Sequence, residues 1–290
     1  MSFSVGANGI PVLGKPELEY LAEEHTKSFC RYEGKDDPRF SVWKFAAYYL
    51  RKKVGFEWLS NDGCILGLSS FVKGTSVPVF DPDSNIVRRR FLEADTILLN
   101  KTLENMAYAP SKPRFTLMHE CAHQLLHKGY FQSRAENGSG KAVAYSIQRD
   151  ENRDNLLEKN AWTDEERMEW QANYLASALL MPESRVERVL EERGYKEDYF
   201  QSVLARSSEP AAYRQLLGGL AFEFRVSMTA AKIRVEGLGF ERFPDLTIRK
   251  PDPWFQYDPE PKKKRMTKEE REQERIEIAW EEKRIKERGW

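Results

Sequence analysis

His119-Glu120-Cys121-Ala122-His123 places two imidazoles four residues apart, with a carboxylate beside the first. On an α-helix, residues i and i+4 lie one turn apart on the same face, so both rings can reach one small cation. Glu120 need not ligate. It can take a proton from water and pass it to a leaving amine. The chemistry this predicts is metal-assisted hydrolysis, with a single Zn²⁺ as cofactor. A catalytic zinc takes three protein ligands and keeps one position open. Glu169, 46 residues after His123, is the candidate for the third. Trp170, Ala172, Tyr174, Leu175 and Ala176 make its segment largely apolar, and a carboxylate in a buried helix needs a partner. Asn173 lies one turn beyond Glu169, where its amide oxygen can accept the Nδ1–H of a ligating histidine.

Other residues near the motif have chemical readings beside plainer ones. Three of the four histidines fall within residues 119–127. The third, His127, is expected to meet the last carbonyls of its helix, because three successive turns of a straight helix do not converge on one ion. Cys121 is expected to pack. Tyr108 and Tyr130 flank the motif, and each is either a hydrogen-bond donor to a tetrahedral oxyanion or an ordinary packed ring. Thr96, Ile97 and Leu98 begin a short apolar strand, Thr96 to Asn100, expected as an edge against which an extended substrate pairs.

The elements that position these residues can be read from punctuation. Pro113 and Gly129 bracket a helix from about Arg114 to Lys128. Thr163 and Glu166 form a capping box that starts a second helix, running to about Leu180 and stopped by Pro182. Earlier helices are expected over Glu17 to Arg31 and Ser41 to Lys53. A short strand follows at Phe56 to Leu59. Cys64 to Val72 and Ser76 to Phe80 read as a hairpin turning at Lys73-Gly74-Thr75, and Asp81 to Asn85 as a further turn. Residues 130–160 read as loop. Short helices follow over Glu183 to Arg193, Asp198 to Arg206, Ala211 to Phe224 and Met228 to Glu236. Residues 1–15 are expected to be disordered. Residues 241–261 hold five prolines and read as a linker, and 262–290 as a charged helical tail.

Lys plus Arg equals Asp plus Glu at 46 each, so net charge offers no reason to expect a nucleic-acid or membrane partner. The run Lys262 to Arg265 is followed by alternating charges that cancel its field beyond a Debye length. Three cysteines without a C-x-x-C pair fit a reducing compartment. With no apolar leader and no run of about 18 apolar residues, a cytoplasmic protein is expected.

Three blocks resemble the ImmA/IrrE family of metallo-endopeptidases. They are Arg114 to His127, Glu169 to Pro182 with its Ala172-Asn173 and Leu179-Leu180-Met181-Pro182, and Leu220 to Ser227 followed by Ala230 to Gly239. Cys121-Ala122 departs from the Leu-Gly usual inside the motif. The resemblance implies an α+β, zincin-like domain over residues 16–240. In it, a small mixed sheet packs beside the metal-binding helices, and a C-terminal helical part follows. It also implies His119, His123 and Glu169 as ligands, Glu120 as catalytic base, and cleavage of a helix-turn-helix repressor. The two short helices around Ser227, which could imitate a DNA-binding motif, then belong to the peptidase domain. Proteolysis is weighed against a metal-binding module that captures a protein partner without cutting it, and against a peptidase serving toxin–antitoxin or phage defence.

Overall fold

The computed structural model describes residues 4–6, 9–35, 40–104, 106, 111–138, 142–147, 163–192 and 210–238. The chain divides into two units, Met1–Arg242 and Phe243–Trp290. The expected linker and charged tail, and the helix expected over Asp198 to Arg206, lie outside the described residues.

Helix α1 spans Lys15–Glu33. The Gly14 amide donates to Glu17 Oε2 at 2.9 Å at its start, and Gly34 closes it at φ 68°. Helix α2, Val42–Lys44, runs into a π-helical turn at Phe45–Tyr49 and is shorter than the Ser41 to Lys53 expected. Strands β1 (Lys53–Glu57), β2 (Ile65–Ser70), β3 (Thr75–Asp81), β4 (Ile86–Leu92) and β5 (Thr96–Asn100) follow. Next come α3 (Ser111–Leu126), α4 (Lys128–Glu136), β6 (Val143–Ile147), α5 (Asp164–Leu180), α6 (Glu183–Glu192), α7 (Pro210–Phe224) and α8 (Met228–Gly237). Helix α3 ends at Leu126, two residues before the expected end, Gly129 lies inside α4, and β6 and the rest of α4 fall where a loop is expected.

The result is an α+β protein with a small mixed sheet. Four strands are ordered β1-β5-β2-β6, with β1 parallel to β5 and the other pairings antiparallel. Helix α3 covers one face, with Ser69 Oγ donating to the Glu120 carbonyl at 3.2 Å. On the opposite face Leu68 and Leu98 pack with Val77 and Leu92 of a β3–β4 hairpin. Helix α5 lies against α3 and α1.

Two strand expectations are corrected. Strands β2 and β3 do not form a hairpin. Strand β3 instead pairs along its whole length with β4 around the turn at 81–85, where Asp81 Oδ1 accepts from the Asp83 and Ser84 amides. Arg88, Arg89 and Arg90 mask β4 as a strand, because six of its seven residues are exposed. Nor is β5 an edge. It lies between β1 and β2 and all five residues are buried, so Thr96, Ile97 and Leu98 have both backbone edges engaged and cannot pair with a substrate.

The segment expected to be disordered at the N-terminus also differs where it is described. Ile10 and Leu13 are buried, with Ile10 joining Phe71, Tyr130, Phe131, Ala144 and Met168 in one apolar cluster. Burial of these two side chains offsets the entropy of ordering a chain that sequence periodicity leaves unassigned.

Candidate metal centre

The site is built across two helices. Helix α3 turns His119 and His123 toward α5, and α5 presents Glu169 to them. The start of α5 is held by the expected capping box: the Thr163 amide donates to Glu166 Oε2 at 2.8 Å, and the Glu166 amide to Thr163 Oγ1 at 3.2 Å. Among the described residues, His119, His123 and Glu169 form a group able to hold a metal ion.

Their geometry suits a small tetrahedral cation. The two imidazole Nε2 atoms are 3.0 Å apart. Glu169 Oε2 is 3.5 Å from His119 Nε2, and Oε1 is 3.3 Å from His123 Nε2. A tetrahedral ion with bonds of about 2.0–2.1 Å holds its ligand atoms about 3.3 Å apart. His119 and His123 are 4% and 1% exposed, and the Glu169 side chain 20%. An open side therefore remains at the carboxylate.

The outer nitrogens support the same reading. His119 Nδ1 lies 2.9 Å from Asn173 Oδ1, an acceptor, so its proton sits on Nδ1 and the Nε2 lone pair faces the triad. Asn173 is thus placed where the helical spacing expects it. Three electron-rich groups converging in a half-closed site need a positive partner. The site's electrostatics favour added positive charge. Burial pushes the His119 imidazole down, but the Glu169 carboxylate outweighs it and holds His119 above its ordinary pKa. Burial likewise raises Glu169, yet the two imidazoles beside it outweigh burial and leave it far below the usual carboxylate range.

Glu120 is fully buried under β2. Its carboxylate lies so close to Gly67 that a Cβ there would stand 2.4 Å from Oε1. It is near enough to His119 to help raise that ring's pKa. Cys121 is buried and its thiol is pushed well above its ordinary pKa by burial, as a packed, inert thiol would be.

The remaining candidates fall elsewhere. Tyr130 sits in the apolar cluster at 4% exposure with its hydroxyl accepting from Arg134 Nη1 at 3.1 Å, so the structure gives it a core position. Tyr108 lies outside the described residues. His127 does not meet helix-end carbonyls. It is fully buried, with Nδ1 3.0 Å from His123 Nδ1 and Nε2 3.0 Å from Gln171 Oε1. Burial and the neighbouring His123 lower its pKa to about 3. The spacing carried a signal: histidines at 119, 123 and 127 share one face, so His127 had to point at α5, where Gln171 stands. Gly67 carried none, since its neighbour Glu120 is 53 residues away.

No described helix is long and apolar enough to cross a membrane. A search of curated proteins finds none that matches. A family model for the IrrE N-terminal-like domain, peptidase M78, matches residues 80–236, which is more than half of the chain and includes every residue of the triad and Glu120. The chain belongs to this family of metallopeptidases.

Proposed function

We propose that this chain is a zinc-dependent endopeptidase, zincin-like in arrangement, that acts in the cytoplasm on a protein substrate, a helix-turn-helix repressor or similar regulator. One observation carries the proposal. The turn of α3 that presents two imidazoles 3.0 Å apart to Glu169 also carries a fully buried carboxylate, Glu120. Ligation alone does not need that carboxylate, and hydrolysis does. The repressor substrate rests on the resemblance of the sequence blocks.

His119, His123 and Glu169 would hold the ion. Zinc bound there supplies Lewis acidity, polarising a carbonyl and acidifying water. Glu120 accepts a proton at its carboxylate from the attacking water and delivers it to the leaving amide nitrogen. Asn173 keeps the His119 ring oriented. Among the described strands, β6 ends the sheet beside β2, under which Glu120 lies, so its outer edge is where an extended peptide could add.

The test is co-expression with repressors encoded beside this gene, comparing wild type with Glu120→Gln. Fragments should appear with the wild type alone, while both proteins carry zinc. A biological effect that survives the substitution would replace this reading with partner capture, and fragments that still form with Glu120→Gln would show that Glu120 is not the base.

A further inference from the structure

We infer that His127 and Gln171 are positioning residues: together they fix which nitrogen of His123 carries its proton, and so aim the His123 Nε2 lone pair at the metal. The inference rests on the reading of the triad as a metal site.

Two groups at the far end of the series from the triad have roles that cannot change. The carbonyl oxygens of Pro11 and Leu13 only accept. Gln171 Nε2 lies 2.8 Å from the first and 3.4 Å from the second, so the Gln171 amide must present its NH₂ there. Its Oε1 then faces His127 and only accepts. His127 Nε2, 3.0 Å away, must therefore be the protonated nitrogen of that ring. In a neutral imidazole the other nitrogen is then bare, so His127 Nδ1 accepts. His123 Nδ1, at 3.0 Å, can only donate to it. That leaves His123 Nε2 with its lone pair free, pointing at His119 Nε2 and Glu169 Oε1.

Each link forces the next, and every ring and amide in the series is buried. A wrongly placed proton within the series would leave two donors or two acceptors facing each other away from water, which is expensive; the one cluster of acceptors that the series creates, the bare Nε2 atoms of His119 and His123 beside Glu169, is where a cation would sit. The two ligating histidines are thus held differently. Asn173, which orients His119, is exposed, whereas His123 is held through a buried series reaching the N-terminal segment.

The experiment uses the full chain without added metal, then with Zn²⁺ alone. Long-range ¹⁵N–¹H imidazole spectra resolve the four histidines. They should show His127 protonated on Nε2 and His123 on Nδ1. Zn²⁺ affinity, measured by competition with a chromophoric chelator, should fall about 10–100-fold in His127→Phe. It should largely return in His127→Gln, whose amide can accept from His123 and donate to Gln171. Gln171→Met, which removes the fixed acceptor, should weaken Zn²⁺ in the same direction and serves if His127→Phe does not fold. A proton on His127 Nδ1, unchanged affinity in both His127→Phe and Gln171→Met, or a His127→Gln no better than His127→Phe would each overturn the inference. Wild-type protein that binds no Zn²⁺ would instead overturn the metal reading, and the spectra would still decide the proton positions.

Discussion

Gly67 of β2 lies directly over the carboxylate of Glu120, so close that a methyl group at Gly67 would overlap Oε1. The neighbouring Ser69 hydroxyl donates to the Glu120 carbonyl, pinning the same turn of α3 to the strand. Gly67→Ala should therefore push the carboxylate aside while leaving the triad intact. A displacement of about 1 Å in a catalytic group can lower turnover on the order of a hundredfold. The strain should lower stability by about 1–3 kcal/mol. Peptidase assays alongside metal analysis check this. Unchanged turnover in a folded, metal-loaded Gly67→Ala protein would mean that Glu120 does not act from this position.

Asn173 offers a cleaner probe of ligand orientation, because it is exposed and its substitution should not disturb the core. Asn173→Ala should weaken Zn²⁺ binding about 10–100-fold, or about 1.4–2.8 kcal/mol, with little change in the thermal midpoint of the metal-free protein. Asn173→Asp keeps an acceptor at the same place and should bind more tightly than the alanine variant. Equal affinities for all three proteins would show that the 2.9 Å contact to His119 does not orient the ring.

Local rules reached far into this molecule and then stopped at a definable boundary. Helix spacing put His119 and His123 on one face of α3, and Glu169 and Asn173 on one face of α5, because each pair lies one turn apart; that the two faces meet is non-local, and only the structure brings them together. Strand partners were misread because pairing is non-local. Lys73-Gly74-Thr75 is a true turn, but it carries the chain into a second sheet, and nothing within β5 reveals that β1 and β2 take both its edges. Long polar contacts were equally invisible. His127 and Gln171 are 44 residues apart, and the carbonyls that orient Gln171 lie in a segment whose composition suggests no structure.

Removing one partner of a buried ion pair should destabilise the helical side. Arg234 of α8 donates through Nη2 to Glu19 Oε2 at 2.7 Å, through Nη1 to Glu19 Oε1, and through Nε to the Met181 carbonyl at 2.8 Å. Tyr174 adds a hydrogen bond to Glu19 at 2.7 Å, so α1, α5 and α8 meet at one carboxylate. The Arg234 side chain is 3% exposed and that of Glu19 14%. Glu19→Gln leaves the guanidinium buried without its counter-charge and should cost about 3–5 kcal/mol, lowering the melting temperature on the order of 10 °C. The pH dependence follows from the sign of the shift. Burial raises the Glu19 pKa, but Arg234 outweighs it and holds the folded value below the ordinary 4.5. The unfolded chain therefore binds the proton more readily. The contribution is fully present above pH 4.5 and is lost as pH falls through the folded value. The gap between wild type and Glu19→Gln should narrow on acidification, and a gap constant from neutral pH down to acid unfolding would contradict this assignment.

Metal removal should loosen a different part of the fold. The triad joins α3 to α5, since His119 and His123 come from one helix and Glu169 from the other. An ion bound there acts as a cross-link and stabilises only the folded chain. The gain grows with free metal, reaching about 2.7 kcal/mol at a hundred times the dissociation constant. The melting temperature of the wild type should therefore rise with free Zn²⁺ and fall on chelation. Glu169→Ala should abolish that dependence, because two imidazoles alone no longer tie the helices together. Hydrogen exchange locates the effect: chelation should raise exchange in α3 and in the C-terminal half of α5, and leave α8, held by Glu19 and Arg234, unchanged. A wild-type melting temperature indifferent to Zn²⁺, or a Glu169→Ala protein that keeps the dependence, would mean that the carboxylate bridging these helices is structural and carries no metal.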